Sequence, residues 1–217
     1  NRGKVHQESG DYKSAITDYN QAIRLEPNYT PAYVNRGNTH RELKEYKSAI
    51  SDYNQAIRLS PDDADIYTNR GASRAESGDY NGSMNDYNRA IQLSPSNANI
   101  FYNRGNAQRE LGNYKKAIKD YAQTIHLDPK YTLAYTNCGV LHAKLGDYKN
   151  AFNYLNQAIL LNPSKPESYV NRGIARYESG DIQGTLMDFS KGADLARQQN
   201  NQSLYEQIQS NIQKLKS

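Results

Sequence analysis

One cysteine in 217 residues, Cys138, rules out an internal disulfide and any cysteine-based metal cluster. A lone thiol is compatible with a reducing compartment, and a cytoplasmic location is the expectation. No apolar run approaches the roughly 18 residues that a membrane helix needs, so no membrane span is expected. Charge of one sign is also missing: 27 basic and 23 acidic residues leave only +4, with the two signs interspersed and no basic block. Such a balance gives no electrostatic footprint for nucleic acid, and none is expected as a partner. No signal peptide is visible, and the chain opens abruptly on NRGKV, which points to a start cut inside a structural element.

What is present is a period. Gly3, Gly37, Gly71, Gly105, Gly139 and Gly173 recur at one fixed spacing of 34, and so do Pro27, Pro61, Pro95, Pro129 and Pro163. Self-similarity of this kind predicts a repeat architecture rather than a globule. With Thr30 as position 1, complete repeats fall at 30–63, 64–97, 98–131, 132–165 and 166–199, after a partial repeat at 1–29 that begins at position 6. Each repeat reads as two helices. In 30–63 the stretch from Pro31 to Leu43 is broken by a single glycine. A turn follows that reads Gly78-Asp79 or Gly146-Asp147 elsewhere, a left-handed helix end and then a cap. The second helix puts Tyr46, Ala49, Ile50, Tyr53, Ala56, Ile57 and Leu59 on one broad face before Pro61 stops it. A hairpin of this kind cannot bury its apolar face alone, and stacking on its neighbours does so. At the end, Leu204, Ile208, Ile212 and Leu215 mark an amphipathic helix within 200–217, with a polar face suited to capping an array.

A large aromatic at position 4, Gly at 8 and 15, Tyr at 17, Ala at 20, an aromatic at 24, Ala at 27 and Pro at 32 resemble the tetratricopeptide repeat (TPR) family. The form is a bacterial-type array with NRG repeats, and the resemblance covers residues 1 to about 197. In 30–63 these places hold Tyr33, Gly37, Lys44, Tyr46, Ala49, Tyr53, Ala56 and Pro61, with Lys44 the departure. The last repeat departs more, with Ile182, Thr185, Gly192 and Arg197 at positions 17, 20, 27 and 32. The resemblance implies an all-α fold, a right-handed α-solenoid (superhelix) of helix-turn-helix repeats, closed by a C-terminal capping helix.

Position 7, usually a leucine in the family, is arginine inside a recurring Asn-Arg-Gly. Wherever it is arginine, position 23 is aspartate: Arg2 with Asp18, Arg36 with Asp52, Arg70 with Asp86, Arg104 with Asp120, and Arg172 with Asp188. Where position 7 is Cys138, position 23 is Tyr154. Concerted loss is the mark of a side-chain pair, because a partly buried guanidinium needs its carboxylate. A row of arginines reading phosphate or carboxylate on a partner is the alternative, and it leaves the joint loss of aspartate unexplained.

Position 6 is asparagine throughout: Asn1, Asn35, Asn69, Asn103, Asn137 and Asn171. An amide both donates and accepts, so it can pair with a ligand's backbone whatever its side chains are. This row is similar to the asparagine ladder in the tetratricopeptide region of O-linked N-acetylglucosamine transferase. The competing reading is a bond to the neighbouring repeat. The family resemblance puts positions 2, 5, 6, 9, 12 and 13 on the concave groove. In the early repeats these hold Lys4, Gln7, Asn38 and Arg41; later ones hold Tyr102, Asn106, Arg109, Leu133, Val140, Ala143, Val170, Ile174 and Tyr177. The groove is thus expected to pass from polar and mildly basic to apolar. Positions 5 and 6 read Val34-Asn35, Thr68-Asn69 and Tyr102-Asn103, and position 2 holds Asp65 and Asn99, so the cationic half of the family's carboxylate clamp is missing.

No catalytic constellation emerges, and no cofactor is expected. His6, His40 and His142 share position 11 with arginine and glutamine, which suits an internal polar network better than a metal site. The tyrosines fall mostly at positions 4, 17 and 24, which are core places and not a base-stacking platform. The expected function is a non-enzymatic adaptor that binds a peptide or helical segment of a partner protein. Two alternatives stay open: the substrate-targeting arm of a larger enzyme, and a scaffold that self-associates through its repeat ends.

Overall fold

The computed structural model describes residues 2–216, and among them lie thirteen α-helices and no strand. They form two compact units, 1–113 and 114–217. The first holds α1 (Arg2–Glu8), α2 (Tyr12–Leu25), α3 (Thr30–Glu42), α4 (Tyr46–Leu59), α5 (Ala64–Glu76), α6 (Tyr80–Leu93) and α7 (Ala98–Glu110). The second holds α8 (Tyr114–Leu127), α9 (Thr132–Lys144), α10 (Tyr148–Leu161), α11 (Pro166–Glu178), α12 (Ile182–Gln198) and α13 (Gln202–Lys216).

Local chemistry sets the helix ends. Gly78 closes α5 at φ +88°, a conformation that costs a side chain about 1–2 kcal/mol, and Asp79 then opens α6 by accepting from the Gly82 N–H at 2.8 Å. In the 30–63 repeat Lys44 takes the same left-handed turn at φ 60°, and Glu45 makes no side-chain cap. The departure from glycine therefore changes the residue but not the turn.

Packing within a repeat rests on small residues facing large ones. A Cβ at Gly71 would stand 2.9 Å from the Tyr87 ring, and one at Gly37 equally close to Tyr53. The absent side chain at position 8 is what seats the position-24 ring. Tyr53, Ala49 and Ala56 are fully buried, joined by Tyr33 and by Ile66 from the following repeat. Each such large side chain contributes about 1.5–3 kcal/mol through burial. That Ile66 belongs to the next hairpin is the reason one repeat cannot stand alone.

In the second unit the same frame carries Leu155 where others have an aromatic, against Gly139. At its end Ile208 and Ile212 of α13 close over Phe189 and Ala193 of α12, with Val170 packed on the same cluster. First helices also touch one another, α3 with α5 and α5 with α7 in the first unit, and α9 with α11 in the second. Within each unit they form a row, and their outward side chains share one face.

Candidate functional site

Ion pairing inside the array decides which side chains remain for a partner. The Arg36 guanidinium donates from Nε to Asp52 Oδ2 at 2.9 Å and from Nη2 to Oδ1 at 2.5 Å. Arg70 grips Asp86 in the same two-pronged way, and Arg172 grips Asp188. Arg2 does so with Asp18 near the start of the chain, where the arginine is largely exposed. Bonding to Asp52 holds the Arg36 guanidinium above its ordinary pKa, and Asp188 does likewise for Arg172. Three of these cations also lie over a position-4 ring, Arg36 on Tyr33 at 5.7 Å, Arg70 on Tyr67 at 5.5 Å and Arg172 on Tyr169 at 5.8 Å. Arg104 sits in the first unit over Phe101, and Asp120 is buried in the second.

A third partner went unread in the sequence. Arg36 Nη1 reaches back to Asn20 Oδ1 of the preceding repeat at 2.5 Å, and Arg70, Arg104 and Arg172 reach Asn54, Asn88 and Asn156. The arginine thus bridges three helices, with one partner 16 residues before it and one 16 after. A signal was available: the residue 16 before Cys138 is Ala122, so all three members are lost together around the 132–165 repeat. In their place Tyr154 stacks on His142 with centroids 5.4 Å apart and tilts against Tyr135.

Position 11 extends these networks. His40 Nδ1 lies 2.6 Å from Glu45 and His142 Nδ1 lies 3.0 Å from Asp147. Where the position is arginine, Arg74 bonds Asp86 at 2.8 Å and the Gly82 carbonyl, while Arg176 bonds the Gly184 carbonyl and lies 3.1 Å from Asp188. A glycine at position 19 accompanies arginine at position 11 in both repeats. A Cβ at Gly184 would meet the Asp181 carboxylate first and then Arg176 Cδ at 2.8 Å, whereas at Gly82 the nearest atoms all belong to the capping Asp79.

Cys138 is fully buried, its thiol directed at the Ile118 carbonyl, and burial pushes its pKa up to about 12. The thiolate is the reactive form, so at neutral or mildly alkaline pH the folded protein should resist iodoacetamide. Labelling followed by mass spectrometry should give modification only as fast as the second unit opens. Prompt labelling of the native protein would show that the thiol is accessible.

On the face of the first helices, Asn35, Asn69, Asn103 and Asn171 are half-buried, and their side-chain amides make no hydrogen bond among the described residues. Asn137 has a partner, and Asn1 lies outside the described residues. In the first unit Asn103 and Asn106 line a cavity of about 260 Å³ with Ala72, Ala75, Arg109 and Glu110. The basic residues expected on this face stand beside acids: Arg41 Nε is 3.9 Å from Glu76, and Arg109 Nη2 is 2.8 Å from Glu110. Asn38 accepts from the Tyr53 hydroxyl at 2.7 Å, which spends it on the core. Tyr102 is half-buried.

In the second unit Leu133, Val140, Ile174 and Tyr177 are exposed by between 37% and 53%, which leaves large apolar side chains open to a partner. Val140, Asn171 and Ile174 line a cavity of about 330 Å³ with Lys144 and Glu178 at its edge. Ala143 forms part of that lining but belongs to the core with Ala151, Leu155 and Ala175, and Val170 is half-buried under α13. Ile174 also borders a second cavity of about 270 Å³, with Tyr177, Phe189, Asn211, Lys214 and Leu215. No helix among the described residues is long and apolar enough to cross a membrane.

No curated protein matches the sequence. Among solved structures, PilW, a type IV pilus biogenesis factor, is similar at 17% identity and TM-score 0.82, over 95% of this chain and 94% of that one. PilF of Pseudomonas aeruginosa is similar at 18% identity and TM-score 0.78, over 96% and 94%. YrrB, described as a TPR protein with an unusual peptide-binding site, is similar at 19% identity and TM-score 0.69, over 88% and 97%. At these identities the likeness is one of fold. The sequence itself matches the model described as TPR repeat at residues 3–43, 37–76, 71–112 and 105–146, and that described as tetratricopeptide repeat at 132–165. Such repeats generally build non-catalytic scaffolds for protein–protein interaction. With its helical pairs, its period and most of its length matched, the chain belongs to the tetratricopeptide repeat family.

Proposed function

We propose that the protein is an adaptor whose first helices, within a unit, hold a segment of a partner protein along their shared face, with α13 as the solvated end of the second unit. The observation that carries this reading is the state of the position-6 asparagines. Guanidinium and carboxylate groups nearby are spent on one another, yet the half-buried amides of Asn35, Asn69 and Asn103 in the first unit make no hydrogen bond among the described residues. A half-buried amide without an internal bond keeps its hydrogen-bonding capacity for a ligand, and a peptide backbone supplies matching groups. Side chains of a ligand held in the first unit would then enter the cavity beside Asn103.

Replacing Asn69 and Asn103 by alanine, singly and together, should weaken a bound peptide by about 1 kcal/mol each, the net worth of such a bond. The melting temperature should stay nearly unchanged, since no internal bond is lost. Peptides selected from a displayed random library against the full chain supply the ligand, and calorimetry supplies the affinities. Lowered stability with unchanged affinity would mean that the amides serve the fold.

A further inference from the structure

Basic and acidic side chains nearly cancel in the sequence, yet the second unit sorts them by helix. The exposed faces of α8 and α10 carry Lys115, Lys116, Lys119 and Lys149 and no carboxylate, because the only acid on the two helices, Asp120, is buried. Acids of that unit stand on turns and first helices instead, as Asp128, Asp147, Glu167, Glu178 and Asp181 do. On α12, Asp194 is exposed but bonded to Arg197. The four lysines make no ion pair or hydrogen bond among the described residues.

Stability does not account for this placement. Lys115 and Lys116 lie in the first turn of α8 and Lys149 in the first turn of α10, where a cation opposes the helix dipole. Elsewhere positions 19 and 22 hold Ser14 and Thr17, Ser48 and Ser51, Gly82 and Asn85, Asn150 and Asn153, or Gly184 and Met187. Lys116 and Lys119 are therefore no demand of the repeat.

Large apolar side chains share this outward side. Positions 18, 22 and 29 are four and seven residues apart, close to whole helical turns, so they form one strip along each second helix. The strip is Lys115, Lys119 and His126 in α8, Lys149, Asn153 and Leu160 in α10, and Gln183, Met187 and Asp194 in α12. Leu160 is 72% exposed and Met187 66%, at positions that are polar in every other repeat. Lysine is a point charge on a flexible stem, without the fork by which arginine reads a single phosphate. No exposed aromatic stands on these helices to stack a base. Unpaired lysines beside exposed aliphatic side chains suit a surface whose charge is diffuse and whose underlying layer is apolar.

We propose that the outward face of the second unit, led by α8 and α10, docks the protein on an anionic membrane surface. Lys115, Lys116, Lys119 and Lys149 meet the phosphates and carboxylates of the lipids, and Leu160 and Met187 enter the headgroup layer. Attachment of this kind needs no spanning helix, and it is independent of peptide binding on the first helices.

The test is co-sedimentation of the full chain with large unilamellar vesicles, of phosphatidylcholine alone or mixed with phosphatidylserine, at two salt concentrations, with duplex DNA as a second polyanion. The chain should bind the anionic vesicles, ignore the neutral ones and be released as salt rises. The triple change Lys115→Gln, Lys116→Gln and Lys119→Gln should lower the partition by about a hundredfold, roughly fivefold for each lysine at a charged leaflet. It should not lower the melting temperature, since those charges oppose the dipole. Leu160→Ser with Met187→Ser should weaken binding at unchanged charge. An equal loss of charge on other helices, Lys4→Gln with Lys144→Gln and Lys214→Gln, should alter the partition by less than about threefold, because charges far from the contact are screened. Equal binding to neutral and anionic vesicles, binding to neither, or binding that survives the triple change would overturn the proposal. Retention by DNA without retention by anionic vesicles would overturn it too and assign the face to nucleic acid.

Discussion

Arg36→Leu should destabilise the protein by about 3–5 kcal/mol, the usual loss when one member of a buried ion pair is removed. Asp52 is only 7% exposed and would keep, among the described ion pairs, only His40 Nε2 at 3.9 Å, while Asn20 would lose its donor as well. Arg70→Leu should cost less, although Asp86 is buried more deeply, because Arg74 would still donate to it at 2.8 Å. The two variants, compared by urea unfolding, thus measure what the second cation at position 11 contributes. Adding Asp52→Leu to Arg36→Leu should recover much of the loss, since an apolar pair of similar volume leaves no charge stranded. Strict additivity in that double-mutant cycle would mean the two residues are not coupled.

Ile174→Asp should reduce peptide binding by more than a hundredfold, because a carboxylate on the wall shared by two apolar cavities opposes an apolar side chain entering either one. Ile174 is 42% exposed, so the fold should survive, and circular dichroism with the melting temperature will show whether it does. Arg41→Ala should change affinity little and act mainly through salt dependence, given that Glu76 already stands 3.9 Å from that guanidinium. An Arg41 variant more damaging than the Ile174 variant would move the anchoring site into the first unit.

The fold was legible in the sequence because a repeat states its own rule several times. Glycine at position 8 recurs since a Cβ there would meet the Tyr53 or Tyr87 ring, and the proline at position 32 recurs since each second helix must stop. The Arg–Asp pairing was legible for a different reason: the 132–165 repeat, with Cys138 and Tyr154, breaks it at both ends. The asparagine acceptors escaped notice because they belong to the preceding repeat, and a comparison made within one repeat does not span that boundary. Only the geometry of the guanidinium, which has donors left over after a bidentate carboxylate, points back to Asn20 or Asn54.

Sequence alone determined the period, the hairpins, the family and which positions carry polar networks, since these follow from spacing and from the need of a semi-buried charge for its counterion. Tertiary structure decided which face residues a partner can reach. Val140 and Ala143 belong to the same predicted stripe, yet one is exposed and the other lies in the core with Leu155 and Ala175. Val170 is half-covered by α13, while Ile174 one turn later stays open between two cavities. Likewise an asparagine at position 6 reads the same in every repeat, but Asn137 has a partner whereas the Asn69 amide has none among the described residues. Exposure and hydrogen bonding depend on the packing of neighbouring repeats, so they are properties of the stack and cannot be read from any one repeat.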